Sequence, residues 1–112
     1  MTTVSEEITV GLIEAIPVGE GRTLEVAGER IAIFNTREGK VFAVQATCPH
    51  RDGPLADGLV GETTVICPLH GWKFDLGTGD CLGASEMQCR LKTYPVRVDD
   101  RSRIVLTIYS QS

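Results

Sequence analysis

The sequence predicts an all-β fold, an antiparallel β-sandwich or barrel that carries a small inserted subdomain built from two loops. Three observations support this prediction. Short stretches of alternating apolar residues recur along the chain, turn-forming residues separate them, and one segment in the middle is rich in glycine and proline. No stretch of helical length shows apolar residues at a period of about 3.6 residues. At 112 residues the chain is long enough to bury a core, so we expect a single domain over residues 1–112.

Four strands are predicted before the glycine-rich segment. Apolar and polar residues alternate over residues 8–12 and again over residues 24–26. Residues 30–35 and 40–46 are rich in β-branched and aromatic residues, which favour strands. The pairs Ala27-Gly28 and Glu38-Gly39 lie between these runs and are typical of hairpin turns.

The strand pattern returns at the end of the chain. One alternating stripe covers residues 94–98, a turn is expected at residues 99–102, and a last stripe covers residues 104–108. Between the two sets of strands, residues 48–85 hold seven of the 12 glycines, three of the five prolines and both histidines. Loops of this composition inside a β framework are usually functional. We therefore expect a subdomain that carries the functional site at approximately residues 47–85.

Charge and terminal sequence restrict the functional classes. A formal net charge of -4 argues against binding to nucleic acid or to an acidic membrane surface. The N-terminus has neither the charged nor the apolar region of a secretory signal, and no apolar stretch reaches the roughly 18 residues that a membrane span needs. These observations predict a cytoplasmic protein. Because the cytoplasm keeps thiols reduced, cysteines there more often serve metal binding or chemistry than disulfides.

Two short segments combine the ligand types of a metal centre. Cys48-Pro-His50 and Cys67-Pro-Leu-His70 each offer one thiolate and one imidazole, a pair that suits zinc or an iron–sulfur cluster. Zinc fingers usually pair cysteine with cysteine and histidine with histidine. The order found here favours a two-iron cluster, in which each loop sends its cysteine to one iron and its histidine to the other. A structural zinc module that mediates assembly remains the alternative.

The motifs around these segments resemble the Rieske family. That family has Cys-x-His, a gap of roughly fifteen to seventeen residues, and then Cys-x-x-His; here 16 residues lie between His50 and Cys67. The second segment is part of the longer motif Cys67-Pro-Leu-His70-Gly-Trp-Lys-Phe74-Asp, and Gly77-Thr-Gly79 follows it. The similarity extends over about residues 7–109. The resemblance implies a Rieske-type β-sandwich and one-electron transfer through a [2Fe–2S] cluster. Its ligands would be Cys48, His50, Cys67 and His70.

Two features of the resemblance bear on the reduction potential. The respiratory members of the family carry a disulfide between the two loops, whereas this chain has Gly53 and Leu69 at the matching positions. The same members have serine and tyrosine donors to the cluster sulfurs, where this chain has Trp72 and Phe74. Fewer donors stabilise the reduced cluster less. We therefore expect a potential near the low end of the Rieske range of about -150 to +300 mV.

The flanking sequence resembles one subgroup more than the others. Residues 41–82 and 91–98 are similar to the small subunit of NAD(P)H-dependent assimilatory nitrite reductase, whose large subunit carries flavin and siroheme. The alternative is a free ferredoxin that takes electrons from a flavin reductase and delivers them to an aromatic-ring dioxygenase. Both histidines are assigned as ligands, so no catalytic triad remains and no site of substrate turnover is predicted. Cys81 and Cys89 are interpreted as ordinary thiols.

Overall fold

Ten β-strands form nearly all the regular structure of the part of the chain that can be described. The structure is a computed structural model and describes residues 3–37, 39–48, 54–68, 71–82 and 90–111. The strands are β1 (Thr3–Leu12), β2 (Glu20–Val26), β3 (Glu29–Asn35), β4 (Val41–Gln45), β5 (Leu59–Val60), β6 (Thr64–Ile66), β7 (Lys73–Asp75), β8 (Thr93–Tyr94), β9 (Val96–Val98) and β10 (Arg103–Gln111). Two single 3₁₀ turns, Ile13–Ala15 and Leu55–Asp57, accompany them. The predicted all-β class is confirmed.

The strands pair into three antiparallel sheets. The first has the order β1-β10-β9, the second β2-β3-β4-β8 and the third β5-β6-β7. In the first sheet Ile8 lies opposite Leu106, so the two predicted apolar stripes share one pairing register. The third sheet lies within the glycine-rich segment. Within the described residues, no helix is long and apolar enough to span a membrane.

Strand β3 lies between the two cores of the molecule and is buried on both faces. Ile31 and Ile33 pack into a cluster with Leu106 of the first sheet. Ala32 and Phe34, which point the other way, pack into the cluster that contains Cys48 and Cys67. A strand covered on both sides has no solvent face, so its apolar residues form a continuous run. The second sheet therefore packs against the apolar cluster that contains the predicted ligands Cys48 and Cys67.

The turns show how the sequence directs the hairpins. Ala27 and Gly28 have φ of 52° and 80°, the left-handed pair of a tight hairpin turn between β2 and β3. Asp99 organises the predicted turn at 99–102, because its Oδ1 accepts hydrogen bonds from the backbone N–H groups of Arg101 and Arg103, each at 2.9 Å. Gly39 has φ of 76°, and Glu38, the other residue of that predicted turn, lies outside the described residues.

The stripe predicted at residues 94–98 is divided between two sheets. Strand β8 pairs with β4 in the second sheet, whereas β9 pairs with β10 in the first. Pro95 separates them, and proline has no N–H for a ladder hydrogen bond. The chain therefore changes partner at this residue. Strands β5 and β7 were not predicted, because two or three residues are too few to show an alternating pattern.

Candidate metal centre

Both predicted cysteine ligands lie in the same buried apolar cluster. Cys48 is 1% exposed and Cys67 is 2% exposed, and the cluster around them includes Leu55, Val65 and Phe74. Cys67 carries a free thiol. His50 and His70 lie outside the described residues, so the structure places two of the four predicted ligands. These two come from loops that are 19 positions apart in sequence but share one core.

The first loop begins where strand β4 ends. The Ala46 N–H donates to the Arg30 carbonyl at 3.1 Å, and the Ala46 carbonyl accepts from the Leu55 N–H at 3.0 Å. Thr47 lies opposite Pro54 in an antiparallel bridge. The residues on both sides of the loop are thus held together as an extension of the sheet, and Cys48 follows directly.

The second loop is closed by its own backbone. Strand β6 leads into Cys67, whose N–H donates to the Trp72 carbonyl at 2.7 Å, while the Cys67 carbonyl accepts from the Gly71 N–H at 3.0 Å. Gly71 has φ of 69°, a left-handed conformation that glycine adopts without steric cost. This tight turn brings the chain back into β7 within a few residues.

A second turn, at residues 75–80, closes the far side of the cluster. The Asp75 Oδ1 accepts hydrogen bonds from the N–H groups of Gly77 and Thr78, at 2.8 and 2.9 Å. The Gly79 carbonyl then accepts from the Leu91 N–H at 2.8 Å, which holds Leu91 in the apolar cluster at 1% exposure. An exposed ion pair between Arg90 and Asp80 lies at the same place and lowers the pKa of the Asp80 carboxyl.

An open pocket of about 340 Å³ lies beside the second loop. Its lining residues are Asp57, Gly58, Leu59, Ile66, Cys67, Pro68 and Gly71. The pocket therefore places free volume next to the predicted ligand Cys67. Soft thiolate ligands suit an iron–sulfur cluster or zinc, and an apolar surround excludes water from the sulfur atoms. The described residues thus fit a thiolate-bound metal group.

A charged cluster anchors strand β8 to the start of β3. Glu29 Oε1 accepts hydrogen bonds from Lys92 Nζ at 2.7 Å and from the Tyr94 hydroxyl at 2.8 Å. The bond from Lys92, followed by that from Tyr94, holds the pKa of the Glu29 carboxyl below its ordinary value. Burial raises the pKa of the Tyr94 phenol, and its bond to Glu29 acts in the same direction. These contacts are structural, since all three groups satisfy one another.

Of the two remaining cysteines, Cys81 and Cys89, the structure describes only Cys81. Cys81 is a half-buried free thiol that packs against the apolar cluster containing Cys48 and Cys67, and it forms a β-bridge with Phe74. Cys89 lies outside the described residues. That both are ordinary thiols therefore stays a prediction.

Comparison with known proteins identifies a family that agrees with the resemblance noted in the sequence. The family described as Rieske [2Fe–2S] domain matches residues 6–95. The ferredoxin component of the naphthalene 1,2-dioxygenase system of Pseudomonas putida is 35% identical over 98 residues, which cover 83% of this chain and 92% of that protein. The 4beta-methylsterol monooxygenase of Methylococcus capsulatus is 40% identical over 79 residues, which cover 62% of this chain. The chain spans only 21% of the length of that monooxygenase.

Solved structures share the fold. A protein described as an NADH-dependent nitrite reductase small subunit from Mycobacterium tuberculosis has a TM-score of 0.86 at 24% identity, covering 96% of this chain and 99% of its own. A second protein, described as a nitrite reductase NADPH small subunit, has a TM-score of 0.79 at 30% identity, covering 90% of this chain and 97% of its own. The comparisons confirm the predicted resemblance and the [2Fe–2S] cofactor that it implies.

Proposed function

Because the chain belongs to the Rieske [2Fe–2S] domain family and is an electron-transfer protein of that family, we propose that Cys48, His50, Cys67 and His70 hold its cluster. The observation that carries this assignment is the burial of Cys48 and Cys67 in one apolar cluster, each at the start of a glycine- and proline-containing loop. Family membership favours the iron–sulfur cluster over the structural zinc ion. When bound, the cluster supplies one-electron chemistry.

The chain itself supplies ligands, shielding and rigidity. Cys48 and Cys67 would bind as thiolates, so each thiol releases its proton on loading. Leu55, Val65 and Phe74 exclude water from the sulfur atoms and make an additional negative charge less favourable, in line with the low potential expected from the sequence. We take residues 1–112 as one domain. Within it, the subdomain that carries the site covers approximately residues 47–85 and packs on the second sheet. Reduced thiols suit the cytoplasm, which is the proposed compartment.

The role that we favour is the small subunit of an NAD(P)H-dependent nitrite reductase. Its support is the likeness of residues 41–82 and 91–98 to that subgroup, together with the similarity to two structures described as such subunits. In this role the redox partner is a large subunit that carries flavin and siroheme. The interaction would be a stable complex, since electrons pass within one enzyme.

A second role is supported by a different observation. The naphthalene dioxygenase ferredoxin is 35% identical and is matched over 92% of its length. In this role the chain would be a free carrier, reduced by a flavin reductase and oxidised by a terminal oxygenase. Its contacts with both partners would be transient.

Electron paramagnetic resonance of the anaerobically purified protein tests the cluster. The oxidised sample is expected to be silent, and dithionite reduction is expected to produce a rhombic signal with a low average g value, which mixed cysteine and histidine ligation gives. A colourless protein with one bound zinc would disprove the proposal. Ligation of the cluster by both histidine and cysteine would be excluded if the reduced signal had the higher average g value of an all-cysteine cluster.

Gel filtration then distinguishes the two roles. The loaded protein is mixed with the flavin- and siroheme-containing large subunit of a nitrite reductase from the same genome, and separately with a flavin reductase and oxygenase pair. Co-elution with the large subunit and NAD(P)H-dependent nitrite reduction would support the first role. Separate elution, with turnover of the oxygenase that depends on this chain, would support the second.

A further inference from the structure

The side chain of Gln45 joins the first ligand loop to the chain segment that covers the site. Its Oε1 accepts a hydrogen bond from the Lys92 N–H at 2.7 Å, and its Nε2 donates to the Thr47 carbonyl at 2.8 Å. The Gln45 N–H also donates to the Lys92 carbonyl at 2.8 Å, so residue 45 contacts both polar groups of the Lys92 backbone. Leu91, next to Lys92, is one of the buried side chains packed around Cys48 and Cys67.

The orientation of this carboxamide is determined by its partners. A backbone N–H can only donate and a backbone carbonyl can only accept, so the oxygen must face Lys92 and the nitrogen must face Thr47. A glutamate at this position could accept from Lys92 but could not donate to Thr47. A lysine could donate to Thr47 but could not accept from Lys92. Among side chains of similar length, only glutamine can form both hydrogen bonds.

The bond to Thr47 acts on the peptide group that carries the ligand. The Thr47 carbonyl and the Cys48 N–H belong to one planar peptide unit, so a donor on the carbonyl limits rotation of that plane. Pro54, which lies opposite Thr47, has no N–H and cannot supply this bond. In the second loop, the two peptide units that flank Cys67 are held by backbone bonds to Trp72 and Gly71.

We propose that Gln45 is a positioning residue for the cluster ligand Cys48: its carboxamide orients the Thr47–Cys48 peptide through the bond to the Thr47 carbonyl. The inference rests on the proposed function, because it takes Cys48 as a ligand. It assigns a part of the site to a side chain three positions before the first ligand, outside the Cys-x-His motif.

Three substitutions at Gln45 test its side-chain hydrogen bonds to Thr47 and Lys92 separately. Gln45→Met removes both at nearly constant volume, Gln45→Glu keeps only the acceptor for Lys92, and Gln45→Lys keeps only the donor for Thr47. Glu29→Gln is the matched control, because it weakens the contact with the Lys92 side chain and leaves Gln45 and Thr47 untouched. Each loaded protein is exposed to an iron chelator, and the loss of visible absorbance gives the rate of cluster release. The reduced g values and the melting temperature of each apoprotein are measured in parallel.

The Met and Glu variants are expected to release the cluster roughly five-fold faster, the factor associated with one ordinary hydrogen bond, and to show shifted g values. The Lys variant and Glu29→Gln should release it at the wild-type rate with unchanged g values. If Gln45 only stabilises the fold, release will follow the apoprotein melting temperature in all four variants, and the inference is wrong. A wild-type protein without a Rieske signal would instead disprove the proposed function. Should the Met variant not fold, the comparison of Glu with Lys decides.

Discussion

Replacing Gly79 by alanine tests whether the turn at residues 75–80 supports the site. Gly79 has φ of +83°, and a Cβ atom built there would collide with the Leu91 carbonyl oxygen. The same carbonyl group belongs to a residue of the apolar cluster around Cys48 and Cys67. Gly28 provides a matched control, because its φ is +80° but a Cβ atom there meets nothing within 4 Å.

The two positions share one energetic cost and differ in another. A left-handed alanine is less favourable by about 1–2 kcal/mol at either site. At Gly79, forcing backbone away from the new methyl group adds about 1–3 kcal/mol. Loss of the hydrogen bond from Leu91 to the Gly79 carbonyl adds about 1 kcal/mol. We therefore expect Gly79→Ala to destabilise by about 3–6 kcal/mol, against about 1–2 kcal/mol for Gly28→Ala.

Urea unfolding of the two apoproteins measures this difference directly. In thermal unfolding, Gly28→Ala should lower Tm by roughly 4–8 °C and Gly79→Ala by more than roughly 12 °C. The loaded Gly79→Ala protein should also release its cluster faster, because Leu91 no longer closes the apolar wall. If both variants lose the same stability, the contact with Leu91 contributes nothing and the reasoning fails.

Three other predictions concern the ligands, the potential and one carboxylate. Cys48→Ser or Cys67→Ser should abolish the visible absorbance of the cluster, whereas Cys81→Ser should keep it; bleaching of the Cys81 variant would contradict the ligand assignment. The midpoint potential should lie near the low end of the range of about -150 to +300 mV, and Phe74→Tyr should raise it by adding a hydroxyl donor; a wild-type value well above zero would refute this. Glu29, whose pKa is lowered in the folded state, stabilises the fold above its unfolded pKa, so the advantage of wild type over Glu29→Gln should shrink as the pH falls below 4.5, and an advantage constant from pH 7 to pH 3 would exclude the effect.

Much of the β framework follows from local pattern. Strand β3 is the clearest case, since residues 30–35 are rich in β-branched and aromatic residues and the structure forms a strand at Glu29–Asn35. The turn at Ala27-Gly28 was predictable from Gly28, because glycine adopts the left-handed backbone of a tight turn without steric cost. Strands β5 and β7 were not, because such short segments are extended only through pairing with β6. The division at Pro95 also depends on which sheet each half meets.

The chemistry predicted for the site follows from the sequence alone. Two cysteine–histidine segments at family spacing specify the class of cofactor, because soft thiolates and imidazoles at such intervals suit few metal groups. Only the folded structure shows which other residues lie around the predicted site. Gln45, Gly79 and Leu91 lie outside the ligand motifs. Gln45 meets Lys92 where β4 pairs with β8, and Gly79 meets Leu91 where the turn at residues 75–80 packs against the segment before β8. Spacing along the chain does not predict the contacts with Lys92 and Leu91, since both join segments that only strand pairing and packing bring together.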